Sequence, residues 1–225
     1  ASGSATVDLI GMVGQKTSNH KLDYNLNLSY SKTLVKDFTF VPAFIQSTTN
    51  YLSKSNENLS EGYRSYSDAL IENTLTYDGK FGLNHINTVV GQTFQRELFH
   101  TLTGKGVNLP EPYYLQVNNA EETSSASNES EHVLASYIGR LNYDFDQKYL
   151  ISATVRRDGS SRLSSADRWD WFPSISAGWR IDRENFFPVA KTNINLLKIR
   201  GSYGVLGNEN IGEYQYMDVM SRGNY

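Results

Sequence analysis

Four histidines, His20, His85, His100 and His132, are the side chains best suited to bind a metal or move a proton near neutral pH, yet none stands in a ligand spacing such as His-Glu-x-x-His. They read as scattered loop residues, and no metal site is expected. A nucleophilic serine would announce itself by a Gly-x-Ser-x-Gly elbow, which the chain lacks. The carboxylate pairs Asp144 with Asp146 and Asp167 with Asp170 fall short of the oxygen-rich Asp-x-Asp-x-Asp-Gly of a calcium loop. Turn solvation or arginine pairing accounts for them. Glu121-Glu122 lies in a low-complexity run without the rigid support a catalytic carboxylate needs, and Gly104-Lys105-Gly106 lacks the Lys-Ser/Thr ending of a phosphate loop. With no cysteine, thiol catalysis and thiolate metal sites are excluded too. No catalytic residue and no cofactor are expected, and the chain reads as a non-enzyme.

Binding is the better prospect. Arg140, Arg156, Arg180, Lys198 and Arg200 all fall at polar positions of alternating segments, opposite the aromatic positions; in a β-barrel that face lines the lumen. Arg157 instead shares the apolar face, close to a long connection, where it would meet lipid phosphates or snorkel to the interface. Aromatic residues make up 12% of the chain, with Tyr outnumbering Phe and Trp. Trp171 and Trp179 share a face eight positions apart. At ~3.3 Å per residue and ~40° tilt that is about 20 Å along a membrane normal, near the height of the apolar band between two aromatic girdles. Tyr24 and Tyr30 repeat the pattern as candidate interface residues. Tyr113, Tyr114 and Trp169, in or beside long connections, are the candidate cargo contacts.

These residues need strands to hold them. Leu22, Tyr24, Leu26, Leu28 and Tyr30 alternate with Asp23, Asn25, Asn27 and Ser29, and the same period of two runs through Ile71 to Tyr77, Ile86 to Leu98, Val133 to Phe145, Tyr149 to Val155, Trp171 to Ile181 and Leu197 to Val205. With weaker segments at Ala5 to Val13, Phe38 to Gln46 and near Tyr214, about nine or ten strands are expected, most of about 9 to 13 residues. Hairpins are expected through Asp78-Gly79-Lys80 and Asp146-Gln147-Lys148. Connections alternate in length: short at Ser31 to Asp37, Asp78 to Asn84 and Asp146 to Lys148, medium at Asp182 to Asn195, and long and polar at 47–69, 101–132 and 158–170. A soluble sandwich has no reason to gather its long loops at one end; an outer-membrane barrel does.

The composition permits this. In 225 residues the net charge is -3, which gives no general attraction to nucleic acid, and no apolar run approaches the ~18 residues of a spanning helix. A mean hydropathy of -0.49 does not speak against a barrel, whose strands average lipid-facing apolar residues with polar lumen residues. The start Ala1-Ser-Gly-Ser has neither the basic nor the apolar part of a signal peptide. The competing expectation is a soluble all-β carbohydrate-binding module, with Trp169, Trp171 and Trp179 stacking on sugars. The two differ in whether the apolar strand faces point outward or are buried between two sheets.

From Tyr137 onward the residues resemble the SusC/RagA-type TonB-dependent transporters of the Bacteroidetes outer membrane. The likeness is carried by Arg140-Leu141-Asn142-Tyr143, Lys148-Tyr149-Leu150-Ile151-Ser152-Ala153, Arg156-Arg157-Asp158-Gly159-Ser160-Ser161-Arg162, Trp171 through Arg180, and Leu197 through Gly204 followed by Leu206 through Gly212. Glu72 to Tyr77 and Val90 to Gln95 extend it upstream. The resemblance implies an antiparallel barrel of about 22 strands with a plugged lumen, placed in the bacterial outer membrane and surrounded by its lipid. It further implies energy supplied by TonB through an N-terminal part, and a SusD-like surface lipoprotein that delivers glycans or peptides. The whole chain, 1–225, would then be a middle stretch of one barrel domain, without the plug and the remaining strands.

Overall fold

Alternating β-branched and aromatic residues favour extended backbone, and the computed structural model is strand along most of its length; it describes residues 2–42, 57–110, 114–187, 196–208 and 211–217. Eight strands follow in chain order: β1 (Ser2–Lys16), β2 (His20–Val41), β3 (Asn58–Phe81), β4 (Asn84–Val107), β5 (Glu122–Phe145), β6 (Tyr149–Ser160), β7 (Trp169–Arg180) and β8 (Lys198–Gly204). They form one sheet in sequence order, with β1 and β8 as its edges. Every residue of both edge strands is exposed. All-β antiparallel architecture is thus as expected, with fewer and longer strands.

The count drops from nine or ten to eight among the described residues because two expected strands do not stand alone. β2 runs unbroken through Ser31 to Asp37. That stretch contains no glycine, proline or asparagine to supply a turn, so Phe38 to Val41 continues the same strand, while 43–46 lie outside the described residues. Around Tyr214 the backbone makes a turn, closed by Met217 N–H donating to the Tyr214 carbonyl at 3.0 Å.

The long connections are also shorter than 47–69, 101–132 and 158–170. β3 begins at Asn58, β4 continues to Val107 and β5 starts at Glu122, leaving 108–121 with one short 3-10 helix at Val117–Asn119; β6 and β7 leave only 161–168. Polar sequence such as Glu122 to Glu131 is strand because ladder hydrogen bonds come from the backbone and need no apolar side chain when a neighbour is in place. Residues 43–56 lie outside the described set. The alternation in length survives: 17–19, 82–83 and 146–148 are tight, whereas 42–57, 108–121 and 161–168 are longer, with 181–197 as the longer exception among the first group.

Asp78-Gly79-Lys80 is strand, and the β3–β4 reversal is Gly82-Leu83. Gly82 has φ +62° and Leu83 does not turn positive, the sign pattern of a II′ hairpin with glycine first. The β5–β6 reversal falls where expected: Asp146 and Gln147 have φ 51° and 54°, and Lys148 N–H donates to the Phe145 carbonyl at 2.9 Å. Asp144 accepts from Gln147 N–H at 2.6 Å, which holds two non-glycine residues in the left-handed region.

The strands contribute to two compact units. One gathers Ala1–Val7, Tyr30–Ala69 and Glu97–Glu131. It contains the buried Leu59 and Leu109, the Arg64–Asp37 pair at 2.7 Å, and Tyr66 against Phe99 at 4.7 Å. The other gathers Asp8–Ser29, Leu70–Arg96 and His132–Tyr225 and contains β6, β7, β8 and the part of β5 from His132 onward. Its short turns are tied to neighbouring strands: Lys80 N–H donates to Asn19, Asp146 N–H to Leu83 and Arg180 N–H to Lys148 at 2.9, 2.7 and 2.8 Å.

Gly82 lets the first hairpin be tested. A side chain at φ +62° is strained by about 1–2 kcal/mol, so Gly82→Val is expected to lower the unfolding free energy of the refolded protein by that amount, read as a lower urea midpoint at unchanged slope. Gly82→Asn should cost less, and Gly3→Val, on the exposed edge strand with open space around it, should leave the midpoint unchanged.

Candidate functional site

The register of β5 to β8 sorts every side chain onto one of two faces. Tyr137 pairs Arg157 and Arg157 pairs Trp171; Phe145 pairs Tyr149 and Tyr149 pairs Trp179, which in turn pairs Ile199. Odd-numbered residues therefore share one face from β5 to β8, and even-numbered residues share the other.

The even face is polar. It places Arg140, Arg156, Arg180, Lys198 and Arg200 together, as their alternation suggested, interrupted by Leu134, Ile138, Leu150 and Phe172. Arg140 donates to Thr154 at 3.2 Å, and Arg156 to Asp158 at 2.7 Å and Ser136 at 3.4 Å. A ladder of hydrogen bonds crosses the strands: Ser152 donates to Asn142, Asn142 to Asn87 and Asn87 to Asp78, at 2.7, 3.2 and 3.2 Å, and Asp78 also meets His85 Nε2 at 3.0 Å. A concavity of about 590 Å³ over this ladder is lined by His85, Asn142, Ser176, Lys198 and Arg200. A second, of about 460 Å³, is lined by Arg156, Asp158, Asp167, Arg168 and Phe172. Asp167 accepts from Ser164 in the 161–168 turn at 3.0 Å, whereas Asp170 lies within β7 and accepts from the Trp171 N–H at 2.8 Å. Such a wall offers hydrogen bonds and charge to a solute or to another polar surface.

The odd face is apolar and exposed: Leu141, Ile151, Val155, Ile175 and Ile199 all present open side chains. Aromatic clusters bracket it. On one side of the band Phe145 lies 6.3 Å from Tyr149, and Tyr149 Oη and Trp179 Nε1 both donate to Glu184 Oε1, at 2.6 and 2.9 Å, while Phe186 meets the Trp179 edge at 6.4 Å. The two donors hold the Glu184 carboxyl below its ordinary value, the tyrosine most strongly. Beside it the buried Asp182 is held low by the Arg180 guanidinium, which grips both its oxygens at 2.6 and 3.3 Å. Lys148 is held high by its 2.8 Å pair with Asp146, and Arg183 donates to Gln147. At the other side Trp169 lies 5.9 Å from Tyr137, and the Arg157 guanidinium stands over both Trp169 and Trp171. Gly159 permits this packing, since a Cβ there would come within 2.7 Å of the Trp169 ring.

Residues 4–224 match the family model of the TonB-dependent receptor-like β-barrel. The chain belongs to this family. It is 34% identical over 182 residues to TonB-dependent receptor P39 of Formosa agariphila, covering 79% of this chain and 17% of that protein. It is 37% identical over 140 residues to TonB-dependent receptor SusC of Bacteroides thetaiotaomicron, covering 61% and 13%. The chain thus spans less than a fifth of these relatives. The structure of the RagAB peptide transporter shares the fold, with a TM-score of 0.75 at 20% identity over 100% of this chain and 25% of that one.

Within a TonB-dependent receptor barrel the expected site residues fall into place unevenly. Trp171 and Trp179 do share a face, and Tyr24 and Tyr30 are both exposed, with Tyr24 donating to Asn73 at 2.7 Å. Trp169 does not stand in a loop: it opens β7 on the apolar face, packed on Arg157 and Tyr137. Tyr114 is exposed in the 108–121 connection, its carbonyl accepting from Gln116 N–H at 2.8 Å, and Tyr113 lies outside the described residues. Glu184 and Asp182 were not anticipated. Arg180-Ile-Asp182 carries a signal, an i, i+2 charge pair at a strand end, whereas the Glu184 contact depends on the chain folding back onto Tyr149.

The Glu184 clamp implies a pH dependence. Its carboxyl titrates lower when folded than when unfolded, so its contribution is complete above the ordinary value of about 4.3 and fades as pH falls through the folded value. In a Trp169→Phe/Trp171→Phe background, Trp179 emission from this stretch should shift on acidification below about pH 4, and Glu184→Gln should remove that acid-dependent step.

Proposed function

We propose that this chain forms part of the wall of a TonB-dependent importer in the bacterial outer membrane, a protein that moves a glycan or peptide nutrient across the bilayer without covalent chemistry. A SusD-like surface lipoprotein presents cargo, and TonB supplies energy through other parts of the full-length receptor. The observation that carries this reading is the two-faced register of β5 to β8. One face is apolar, exposed and bracketed by tyrosine and tryptophan; the opposite face collects the arginines, lysine and amides. A bilayer requires that arrangement, because its ~30 Å core solvates neither charges nor unpaired backbone. A carbohydrate-binding sandwich would cover the apolar face with a second sheet, and among the described residues there is one sheet.

On this reading Arg140, Arg156, Arg180, Lys198 and Arg200 face the lumen, and Tyr24, Tyr30, Trp171 and Trp179 mark the membrane interfaces. Strands β3, β4 and β5 have 24 residues each, against the ~9–11 that cross a bilayer. Their polar stretches therefore continue beyond the hydrocarbon, and Tyr113 and Tyr114, between β4 and β5 in the sequence, are the aromatics proposed to meet cargo. SusC and the RagAB peptide transporter support the importer class, and RagAB is a precedent for peptide cargo on this fold.

This stretch carries no cysteine, so the test is direct once any cysteine elsewhere in the full-length receptor is replaced. Single cysteines at Ile151 and Ile175 in the full-length receptor are expected to resist a membrane-impermeant maleimide, while Ser152→Cys and Ser176→Cys react once the lumen is open to solvent. Labelling at all four positions would refute the wall reading. Ile175→Arg, midway between Trp171 and Trp179, should cost about 2–4 kcal/mol in refolding into lipid, with Ser174→Arg close to neutral.

A further inference from the structure

Arg157 is the one charged side chain on the odd face throughout the registered stretch of β5 to β8. Its guanidinium carbon lies 5.0 Å from the Trp169 ring centroid and 5.3 Å from that of Trp171, and among the described residues no carboxylate pairs with it. The neighbouring acids are engaged elsewhere: Asp158 with Arg156, and Asp170 with the Trp171 N–H. Cation–π contact uses the flat faces of a guanidinium and leaves its planar N–H edge for an anion, and a phosphate matches that fork. Arg157 is eight positions from Tyr149 on β6, so it stands about 20 Å along the membrane normal from the Tyr149–Trp179 cluster, at the opposite girdle. There the apolar face meets headgroups. Residues Trp171, Ile175 and Tyr203 on the same face are exposed and lie where acyl chains would run.

We propose that Arg157, held by Trp169 and Trp171, is a binding site for the phosphate of an anionic membrane lipid. Gly159 belongs to the site because its missing side chain is what lets Trp169 lie flat beside the arginine. The inference rests on the barrel-wall reading and assigns that wall a specific lipid contact.

The test uses the full-length receptor in phosphatidylcholine vesicles containing phosphatidylglycerol, with one lipid brominated at a time. Quenching is taken as the difference between the receptor and its Trp169→Phe/Trp171→Phe variant, which isolates these two indoles. The expected result is an about fivefold preference for phosphatidylglycerol at this position, the size one basic side chain gives at an anionic surface. Arg157→Gln should reduce it to none and Arg157→Lys should retain most of it, with heat-modifiable gel mobility reporting that each variant is folded. An unchanged preference in Arg157→Gln would overturn the proposal. So would loss of the preference on adding inorganic phosphate at matched ionic strength, which would assign the site to a free anion. Quenching by both lipids without preference removes only this site, whereas no quenching by either removes the barrel-wall reading itself.

Discussion

In an antiparallel ladder the face a side chain occupies follows from the parity of its partner, and β5 to β8 keep one parity from Leu134↔Ser160 to Arg180↔Lys198 without a bulge. A single inserted residue ahead of Trp171 would send Trp171, Ile175 and Trp179 to the face of Arg156. The unbroken register is what allows the wall to have two chemistries a strand's thickness apart. It also pairs the backbone groups between strands, so that the apolar face can stay open without stranding polar atoms in hydrocarbon. Soluble sheets tolerate bulges because water repairs them; a wall between lipid and lumen has less freedom to do so.

The turns protect that register. Asp146 and Gln147 adopt positive φ without glycine, which Asp144 makes tolerable by accepting the Gln147 N–H. From the next connection Glu184 reaches back to Tyr149 and Trp179, and Asp182 to Arg180. Each of these carboxylates sits just past the end of β7 and grips a residue at the end of a paired strand. A slip of one residue would break the Glu184 contact with Tyr149, which crosses between strands. Placing the polar tips of Tyr149 and Trp179 toward a hydrogen-bonding carboxylate and their rings toward the apolar band is the arrangement expected of interface aromatics.

Fold class, strand pairing and the division into two faces were legible in the sequence because period two is a local property of residue order. The Val133–Phe145 and Tyr149–Val155 arms pair as their alternation required. Strand ends were less legible. Glu122 to Glu131 carries no apolar stripe and looks like a solvated loop, yet it is strand, because extended backbone there is fixed by its position in the sheet and not by its side chains. The same reasoning explains Ser31 to Asp37, whose polarity resembles a turn but which has no glycine, proline or asparagine and continues as strand. Trp169 was misplaced for a related reason: with β6 and β7 paired up to Gly159↔Trp169, a residue assigned to a loop became the first residue of the apolar face. Long-range contacts such as Glu184 with Tyr149 had no local signature at all.

Arg157 is the exception that the register makes visible. Alternation alone places it among apolar residues, and the register sets it beside Trp169, at the last pairs of the β6–β7 ladder. Two indoles then supply the partner that a carboxylate supplies for Arg156 and Arg180 on the other face. The difference in partner follows from the difference in surroundings. On the even face an anion within the protein neutralises each of these arginines, while on the odd face the protein offers polarisable rings.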